Sequence, residues 1–178
     1  MNNYAVFLDR DGVITENNQS MLDGPFYVTS PNQLKYREGA LEAIKILNDA
    51  KAYIFIVSSQ RWVGLNFIEA SPVMAKVHQK FLEDVIEMGG FVTDSRYIFS
   101  EGYDKLEAIT ELGNIYDIDM MHSYFVGDSP ADMMAGRLSG CKAVFIRNEY
   151  SFYKPDPECD TSLCSLYDAV KYILGEKK

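Results

Sequence analysis

Apolar residues along the chain fall into short runs that alternate with segments of helical periodicity. The runs are three to five residues long, are rich in β-branched and aromatic side chains, and show no alternation with polar residues. Continuous apolar runs of this length are typical of strands buried between two layers of helices. The predicted strands cover residues 4–8, 53–57, 97–99, 123–126 and 143–146.

Between these runs, apolar side chains recur every three or four residues, as they do on one face of an amphipathic helix. The clearest example is the segment 73–88, in which Val73, Val77 and Phe81 repeat at intervals of four. Because strand and helix signals alternate, we predict an α/β fold: a doubly wound, Rossmann-like parallel β-sheet with helices on both faces. The predicted helices cover residues 39–50, 73–88, 105–112, a segment that begins at residue 130, and 165–174.

The chain of 178 residues has the length of one domain and contains no internal repeat. We therefore predict a single domain over residues 1–178. Two segments, residues 15–36 and 148–161, lack clear periodicity and contain prolines. Long loops in compact domains are usually functional, so residues 15–36 are predicted to form a flap or loop insertion near the functional edge of the sheet.

Composition and charge narrow the class of protein further. Hydrophobic residues make up 47% and charged residues 24% of the chain, which is typical of a globular domain and excludes a disordered chain or a membrane bundle. The formal net charge is −9, with 26 Asp and Glu against 17 Lys and Arg. This acidic excess repels phosphate backbones and argues against a nucleic-acid partner. No apolar stretch reaches the roughly 20 residues that span a bilayer, so no membrane association is expected.

The three cysteines predict neither a disulfide framework nor a metal site. Their number is odd, and Cys141, Cys159 and Cys164 form no CxxC or CxxxC pair. A structural zinc site needs four converging nitrogen or sulfur ligands and is not expected. The N-terminal segment also lacks the basic region of a secretory signal, so we expect a reducing, cytoplasmic location.

Acidic residues follow two of the predicted strands at the point where each strand ends. Asp9 and Asp11 follow the first strand, and side chains two residues apart in an extended chain point the same way. Asp128 and Asp132 follow the fourth strand after Gly127. Each pair has a structural alternative when taken alone: an Asp-Gly turn for the first, and a helix cap or first-turn acid for the second.

Taken together, these acids predict a metal-binding pocket. The carboxyl ends of parallel strands meet at one edge of a sheet, so the four carboxylates are expected to converge there. Like charges that close need a cation or a raised pKa, and Mg²⁺ is a natural partner for carboxylate oxygens. Ser58 after the second strand and Lys105 at the start of a predicted helix are candidates for holding phosphate oxygens. Taken singly, these two are also compatible with a polar loop residue and a solvated lysine.

The ordered set of motifs resembles the haloacid dehalogenase (HAD) superfamily of aspartate-nucleophile phosphatases. The superfamily's first motif, a strand followed by DxDG, is present at residues 7–12, and its second, a strand followed by Ser or Thr, at residues 57–58. The motif III lysine is placed at Lys105, and the motif IV strand followed by GD and a further Asp is present at residues 123–132. The resemblance spans residues 4–146 and implies the HAD-like fold.

Within the superfamily, residues 8–14 (LDRDGVI) look like the histidinol-phosphate and heptose-bisphosphate phosphatase branch, and residues 58–60 (SSQ) are a variant of its Thr-Asn-Gln. Two departures stand out. Nothing between Phe99 and Lys105 could form the Cys/His zinc loop of that branch, and Leu106 stands where the branch has proline. The motif spacing leaves room for the 15–36 flap but not for a separate cap domain.

The resemblance implies a two-step displacement at a phosphomonoester. Asp9 would attack phosphorus and become an aspartyl phosphate, a covalent intermediate. Asp11 would protonate the leaving oxygen and then accept a proton from the water that hydrolyses this intermediate. The implied substrate is a small phosphorylated metabolite, a sugar or polyol phosphate.

The resemblance also implies which groups bind the metal and the phosphoryl oxygens. Mg²⁺ would be held by a carboxylate oxygen of Asp9, the backbone carbonyl of Asp11, and Asp128. Backbone N–H groups near Asp11 and Ser59 would help to bind phosphoryl oxygens. Ser58 and Lys105 would bind the phosphoryl oxygens. Asp132 and Gly127 would support the site, and Asp132 would orient Lys105 or a metal-bound water.

Two questions stay open from the sequence. Four loop residues near the pocket either contact the leaving group or pack on the body of the protein: Phe26, Tyr27, Arg61 and Trp62. The alternative function is a non-catalytic or signalling, receiver-like phosphate-binding domain, since receivers share the doubly wound fold and an acidic Mg²⁺ pocket. Receivers take phosphate on an Asp after a middle strand, whereas here Ser58 follows the second strand.

Overall fold

Six strands and five α-helices make up the regular structure in the part of the chain that the computed structural model describes. That part consists of residues 3–17, 28–61, 63, 70–99, 102–148, 154–155, 157 and 159–176. The strands are β1 (Ala5–Leu8), β2 (Tyr53–Ser59), β3 (Asp94–Ile98), β4 (Tyr124–Gly127), β5 (Lys142–Ile146) and β6 (Thr161–Leu163). The helices are α1 (Ala40–Asp49), α2 (Ala70–Glu87), α3 (Lys105–Ile115), α4 (Pro130–Leu138) and α5 (Leu166–Glu176).

All six strands pair in parallel in one sheet of order β3-β2-β1-β4-β5-β6. The order reverses direction at β1, which is where ligands bind in open α/β sheets. One face of the sheet packs on α1, α2 and α5 through residues such as Ile44, Phe81 and Val170. The other face packs on α3 and α4 through residues such as Leu112 and Ala135. The predicted doubly wound α/β fold is confirmed.

The central strands are apolar because both of their faces are buried. All four residues of β1 are fully buried, and its neighbours β2 and β4 are buried along most of their length. In the register of the sheet, Leu8 pairs with both Ile56 and Val126. The residues that follow these three positions therefore come to the same edge of the sheet, which brings the acidic and hydroxyl side chains together.

The two edge strands differ from the pattern-based prediction. β3 begins at Asp94 rather than Tyr97, and β6 falls at the end of a segment predicted to be a loop. Both strands are only partly buried and contain polar residues, since each pairs on one side only. An apolar run is therefore a good signal for the central strands and a poor one for the edges.

The predicted flap lies partly within the described residues. Thr15 forms isolated bridges to Asp11 and Tyr36, and a 3₁₀ turn covers Pro31–Gln33. Residues 18–27 lie outside the described residues. None of the helices in the described ranges has the length and apolar character needed to cross a membrane.

Candidate active site

Asp9 lies directly after β1, at the carboxyl edge of the sheet. Its backbone N–H donates to the carbonyl of Val126 at 3.0 Å and extends the pairing with β4 by one residue. The residue is only 8% exposed, and its Oδ1 accepts from the backbone N–H of Arg10 at 2.7 Å. Its Oδ2 accepts from Lys105 Nζ at 2.5 Å. The carboxylate is therefore oriented by two donors and largely shielded from solvent.

Lys105 is the first residue of α3, and the cap before it sets its position. Asp104 accepts from the backbone N–H of Glu107 at 3.0 Å, and Glu107 accepts from the backbone N–H of Asp104 at 2.9 Å. This capping box starts the helix at Lys105. Lys105 Nζ donates to Asp9 and Asp132 at 2.5 Å each. Burial alone would lower the pKa of Lys105, but the two carboxylates raise it above its ordinary value and keep the side chain charged.

Asp132 is held by the turn that begins α4. Its Oδ2 accepts from the backbone N–H groups of Asp128 and Ser129 at 3.1 Å each, and from Ser129 Oγ at 2.8 Å. The residue is fully buried. Gly127 makes room for it, because a Cβ on Gly127 would lie 2.3 Å from the Asp132 Cβ. The GD motif thus combines a close approach of the backbone with a fixed carboxylate.

Three of the four predicted acids converge. Asp9, Asp128 and Asp132 offer carboxylate oxygens that lie within 4.8 Å of one another. Burial raises the pKa of Asp9 to about 6, an effect that Lys105 opposes and Asp132 strengthens. Burial also raises the pKa of Asp128 to about 7, with further contributions from Asp9 and Asp132. Both shifts express the cost of crowding negative charge in a buried place.

This arrangement fits a divalent cation. When ionised, three carboxylates beside the single ammonium of Lys105 carry a net charge of −2, which one divalent cation would balance. Gly12 lets the Asp128 carboxylate approach the loop after β1 closely, since a Cβ on Gly12 would lie 2.0 Å from Asp128 Oδ2. Carboxylate oxygens are the donors that Mg²⁺ prefers. The donor set therefore suits such an ion.

Asp11 lies apart from this group of acids. Its Oδ1 accepts from Arg10 Nε at 2.9 Å and from Thr15 Oγ1 at 2.8 Å. Its Oδ2 accepts from Arg10 Nη2 at 2.9 Å and from Gln60 Nε2 at 2.7 Å. The expectation that all four acids share one group is therefore met by Asp9, Asp128 and Asp132, whereas the Asp11 carboxylate is bound by Arg10, Thr15 and Gln60.

Ser58 and Ser59 end β2 at the same edge of the sheet. Ser58 is buried, accepts from Gln60 Nε2 at 3.2 Å, and lowers the pKa of Asp9 through a side-chain hydrogen bond. Ser59 is partly exposed. Arg61 is exposed, while Phe26, Tyr27 and Trp62 lie outside the described residues.

Sequence reasoning assigned no role to four residues that complete the site. Arg10, Thr15 and Gln60 surround Asp11, and Asn148 Nδ2 donates to Asp128 Oδ2 at 3.4 Å. Arg10 and Gln60 lie inside motifs I and II. Their charged and amide side chains could have been predicted from the sequence to contact a nearby buried acid. Thr15 and Asn148 lie beyond the motifs and come near the site only through the fold.

Ser58, Lys105 and the two acids after β4 lie around Asp9, and these are the residues on which the resemblance to the HAD class rests. Two curated relatives support this class. The D-glycero-alpha-D-manno-heptose-1,7-bisphosphate 7-phosphatase of Mycobacterium tuberculosis is 30% identical over 186 residues, covering 98% of this chain and 95% of that protein. The D-glycero-beta-D-manno-heptose-1,7-bisphosphate 7-phosphatase of Rhodopseudomonas palustris is 29% identical over 150 residues, covering 76% and 79%.

A solved structure shares the fold. The D,D-heptose 1,7-bisphosphate phosphatase of B. bronchiseptica, determined with magnesium and phosphate, matches with a TM-score of 0.82 and 22% identity, covering 97% of this chain and 99% of that one. A scan against protein-family models finds no match. The chain belongs to the family of HAD phosphatases that includes these heptose-bisphosphate phosphatases. It is a HAD-type phosphatase, a hydrolase of phosphoric monoesters.

Proposed function

We propose that this chain hydrolyses a sugar phosphate with Mg²⁺, and that its substrate is a heptose bisphosphate or a close chemical relative. The observation that carries the proposal is the buried Asp9 carboxylate, which Lys105 bridges to Asp132. The names of the curated relatives support the substrate class. The solved structure with magnesium and phosphate supports the metal.

In the proposed reaction Asp9 is the nucleophile. An Asp9 oxygen attacks phosphorus, the bond from phosphorus to the sugar oxygen breaks, and a proton from Asp11 passes to that oxygen. Water then attacks the aspartyl phosphate and gives a proton back to Asp11, which releases inorganic phosphate and restores both carboxyl groups. Lys105 orients Asp9 and offsets charge on the phosphoryl oxygens, which Ser58 and the backbone N–H near Ser59 also bind.

Asp9, the backbone carbonyl of Asp11, and Asp128 would hold the metal. When bound, Mg²⁺ neutralises the charge of the transferring phosphoryl group and helps to orient it. Asp132 supports the site by fixing Lys105 and the Asp128 backbone, with Gly127 providing the space.

We further propose that the domain spans residues 1–178 without a separate cap, with residues 15–36 as a flap beside the site. The substrate would be a small metabolite rather than nucleic acid or a membrane, as the charge of −9 favours. The cytoplasm is the proposed compartment, which suits the free thiols of Cys141 and Cys164.

The experiment that tests this function is a comparison of catalytic efficiencies on a set of phosphorylated metabolites. We expect the largest kcat/KM for a heptose 1,7-bisphosphate, with loss of the 7-phosphate, and activity only with Mg²⁺. A series of sugar monophosphates and an aryl phosphate serve as comparison substrates, and EDTA serves as the metal control. Equal efficiency on all substrates would contradict the sugar assignment, and full activity in EDTA would contradict the metal.

Metal binding and pH are expected to act together on stability. The pKa values of Asp9 and Asp128 lie above those of an unfolded chain, so the folded protein without metal binds more protons than the unfolded one. The stability of the metal-free protein therefore falls as the pH rises from about 4, the ordinary pKa of Asp, through about 7. Bound Mg²⁺ reverses this trend, since it favours the ionised carboxylates.

Thermal unfolding measures this effect directly. Between about pH 5.5 and pH 8, the Mg²⁺-induced rise in Tm should grow by several degrees. The Asp128→Asn variant should lose most of that growth, whereas the matched Asp49→Asn variant, which changes an exposed acid, should keep it. An Mg²⁺ effect of equal size at both pH values would refute the assignment.

A further inference from the structure

Arg10 is a fully buried cation that the mechanism above does not use. It lies between Asp9 and Asp11, and its residue is 0% exposed. Its Nε and Nη2 donate to the two carboxylate oxygens of Asp11 at 2.9 Å each. This is the bidentate geometry that a guanidinium forms with a carboxylate, and it fixes direction as well as distance. The orientation of the Asp11 carboxylate therefore follows that of Arg10.

Aromatic and sulfur groups hold the other side of the guanidinium. Arg10 Cζ lies 5.7 Å from the centre of the Tyr97 ring on β3, and Nη1 lies 4.0 Å from the Met74 sulfur on α2. The Tyr97 hydroxyl lies 2.8 Å from His78 Nδ1, and the two rings meet edge to face at 5.1 Å.

The direction of the hydrogen bond between Tyr97 and His78 follows from the chemistry of the two side chains. The Tyr97 hydroxyl can donate to His78 Nδ1 when that ring nitrogen carries no proton, and this hydrogen bond fixes the Tyr97 ring against the Arg10 guanidinium. Burial and the nearby Arg10 lower the pKa of His78, which leaves its ring neutral and able to accept. The result is a continuous series of contacts from Asp11 through the Arg10 guanidinium and the Tyr97 ring to His78.

We propose that Tyr97 and His78 are positioning residues for phosphoryl transfer: they fix Arg10, and Arg10 holds the Asp11 carboxylate in the orientation from which it exchanges protons with the leaving oxygen. This inference rests on the proposed role of Asp11. Thr15, in the loop after β1, and Gln60, directly after β2, also donate to the Asp11 carboxylate. In this scheme the Tyr97 and His78 side chains act on Asp11 through Arg10.

The test uses the dependence of kcat/KM on the leaving group. An alkyl phosphate such as a sugar phosphate needs a proton on its leaving oxygen, whereas 4-nitrophenyl phosphate releases a stable anion. We expect Tyr97→Phe to lower kcat/KM by about fivefold to tenfold for the sugar phosphate and by less than about twofold for the aryl phosphate. His78→Leu should show the same selectivity. His78→Asn should recover most of the loss, since its amide oxygen can accept from Tyr97.

Two controls separate positioning from general weakening of the fold. Tyr116→Phe removes a hydroxyl that donates to Asp94 Oδ2 on β3 at 3.1 Å. This variant should not lower kcat/KM for one substrate more than for the other. Asp11→Asn should show a much larger selective loss, about a hundredfold or more for the sugar phosphate. If Asp11→Asn is selective and Tyr97→Phe is not, the positioning role is overturned and the proposed function stands. If Asp11→Asn shows no selectivity, the acid role of Asp11 fails and the positioning role fails with it.

Discussion

Replacement of Asp9 by asparagine is expected to lower kcat by at least about 10⁴-fold, because it removes the nucleophile on which both chemical steps depend. The change is nearly isosteric: the amide oxygen can still accept from Lys105 Nζ, which lies 2.5 Å from the present Oδ2, with loss of the hydrogen bond from the Arg10 backbone N–H to Oδ1. It also removes one of three crowded carboxylates, so the metal-free protein should be no less stable than the parent at neutral pH. Steady-state kinetics and thermal unfolding on the same sample measure both effects.

The matched control for this variant is Asp49→Asn. Asp49 pairs with Lys45 on the surface of α1, with 66% of its side chain exposed, and its replacement should leave kcat unchanged. Substantial phosphatase activity in a folded Asp9→Asn protein would contradict the nucleophile assignment, provided that contaminating phosphatases are excluded by parallel purification of both variants.

Replacement of Lys105 by methionine is expected to lower both stability and activity. The change leaves Asp9 and Asp132 buried without their shared cation, and breaking a buried pair from one side costs about 3–5 kcal/mol. For a chain of this length such a loss lowers Tm by roughly 10 °C. The activity should fall at the same time by about 10² to 10³, since the cation that orients Asp9 and faces the phosphoryl group is absent.

Lys45→Met provides the comparison. Lys45 forms an ion pair of similar length, 2.6 Å, but its side chain is 43% exposed, and its loss should cost less than about 1 kcal/mol. Denaturant unfolding of both variants in EDTA isolates the electrostatic effect from the metal. Equal destabilisation by the two changes would show that the site lysine is no more coupled to its acids than a surface lysine.

The central part of the fold was predictable because burial on both faces leaves a simple sequence pattern. β1 and β4 consist of four buried residues each, and the apolar runs predict them closely. β3 and β6 carry residues such as Asp94 and Thr161, whose strand conformation depends on pairing with a neighbour rather than on their own pattern. Local sequence contains no signal for a partner that lies far along the chain.

The site residues also divide into those that the sequence predicts and those that only the tertiary structure places. Strand-end positions led to Asp9, Ser58 and Asp128, because the carboxyl ends of parallel strands meet at one edge. The placement of Asp11 was not predictable in this way, since it depends on how Arg10 folds back to form two hydrogen bonds with it. Asn148 reaches Asp128 from beyond β5, a contact that only the tertiary structure specifies.

The measurement that tests the central claim most directly is identification of the phosphorylated residue during turnover. The enzyme is mixed with its preferred sugar phosphate and Mg²⁺, quenched within the first turnover, reduced with borohydride, and digested for peptide mass spectrometry. Reduction converts an aspartyl phosphate to homoserine, so the account predicts homoserine at position 9 and nowhere else. Modification at another residue, or release of the sugar ahead of inorganic phosphate with an unmodified Asp9, would contradict it.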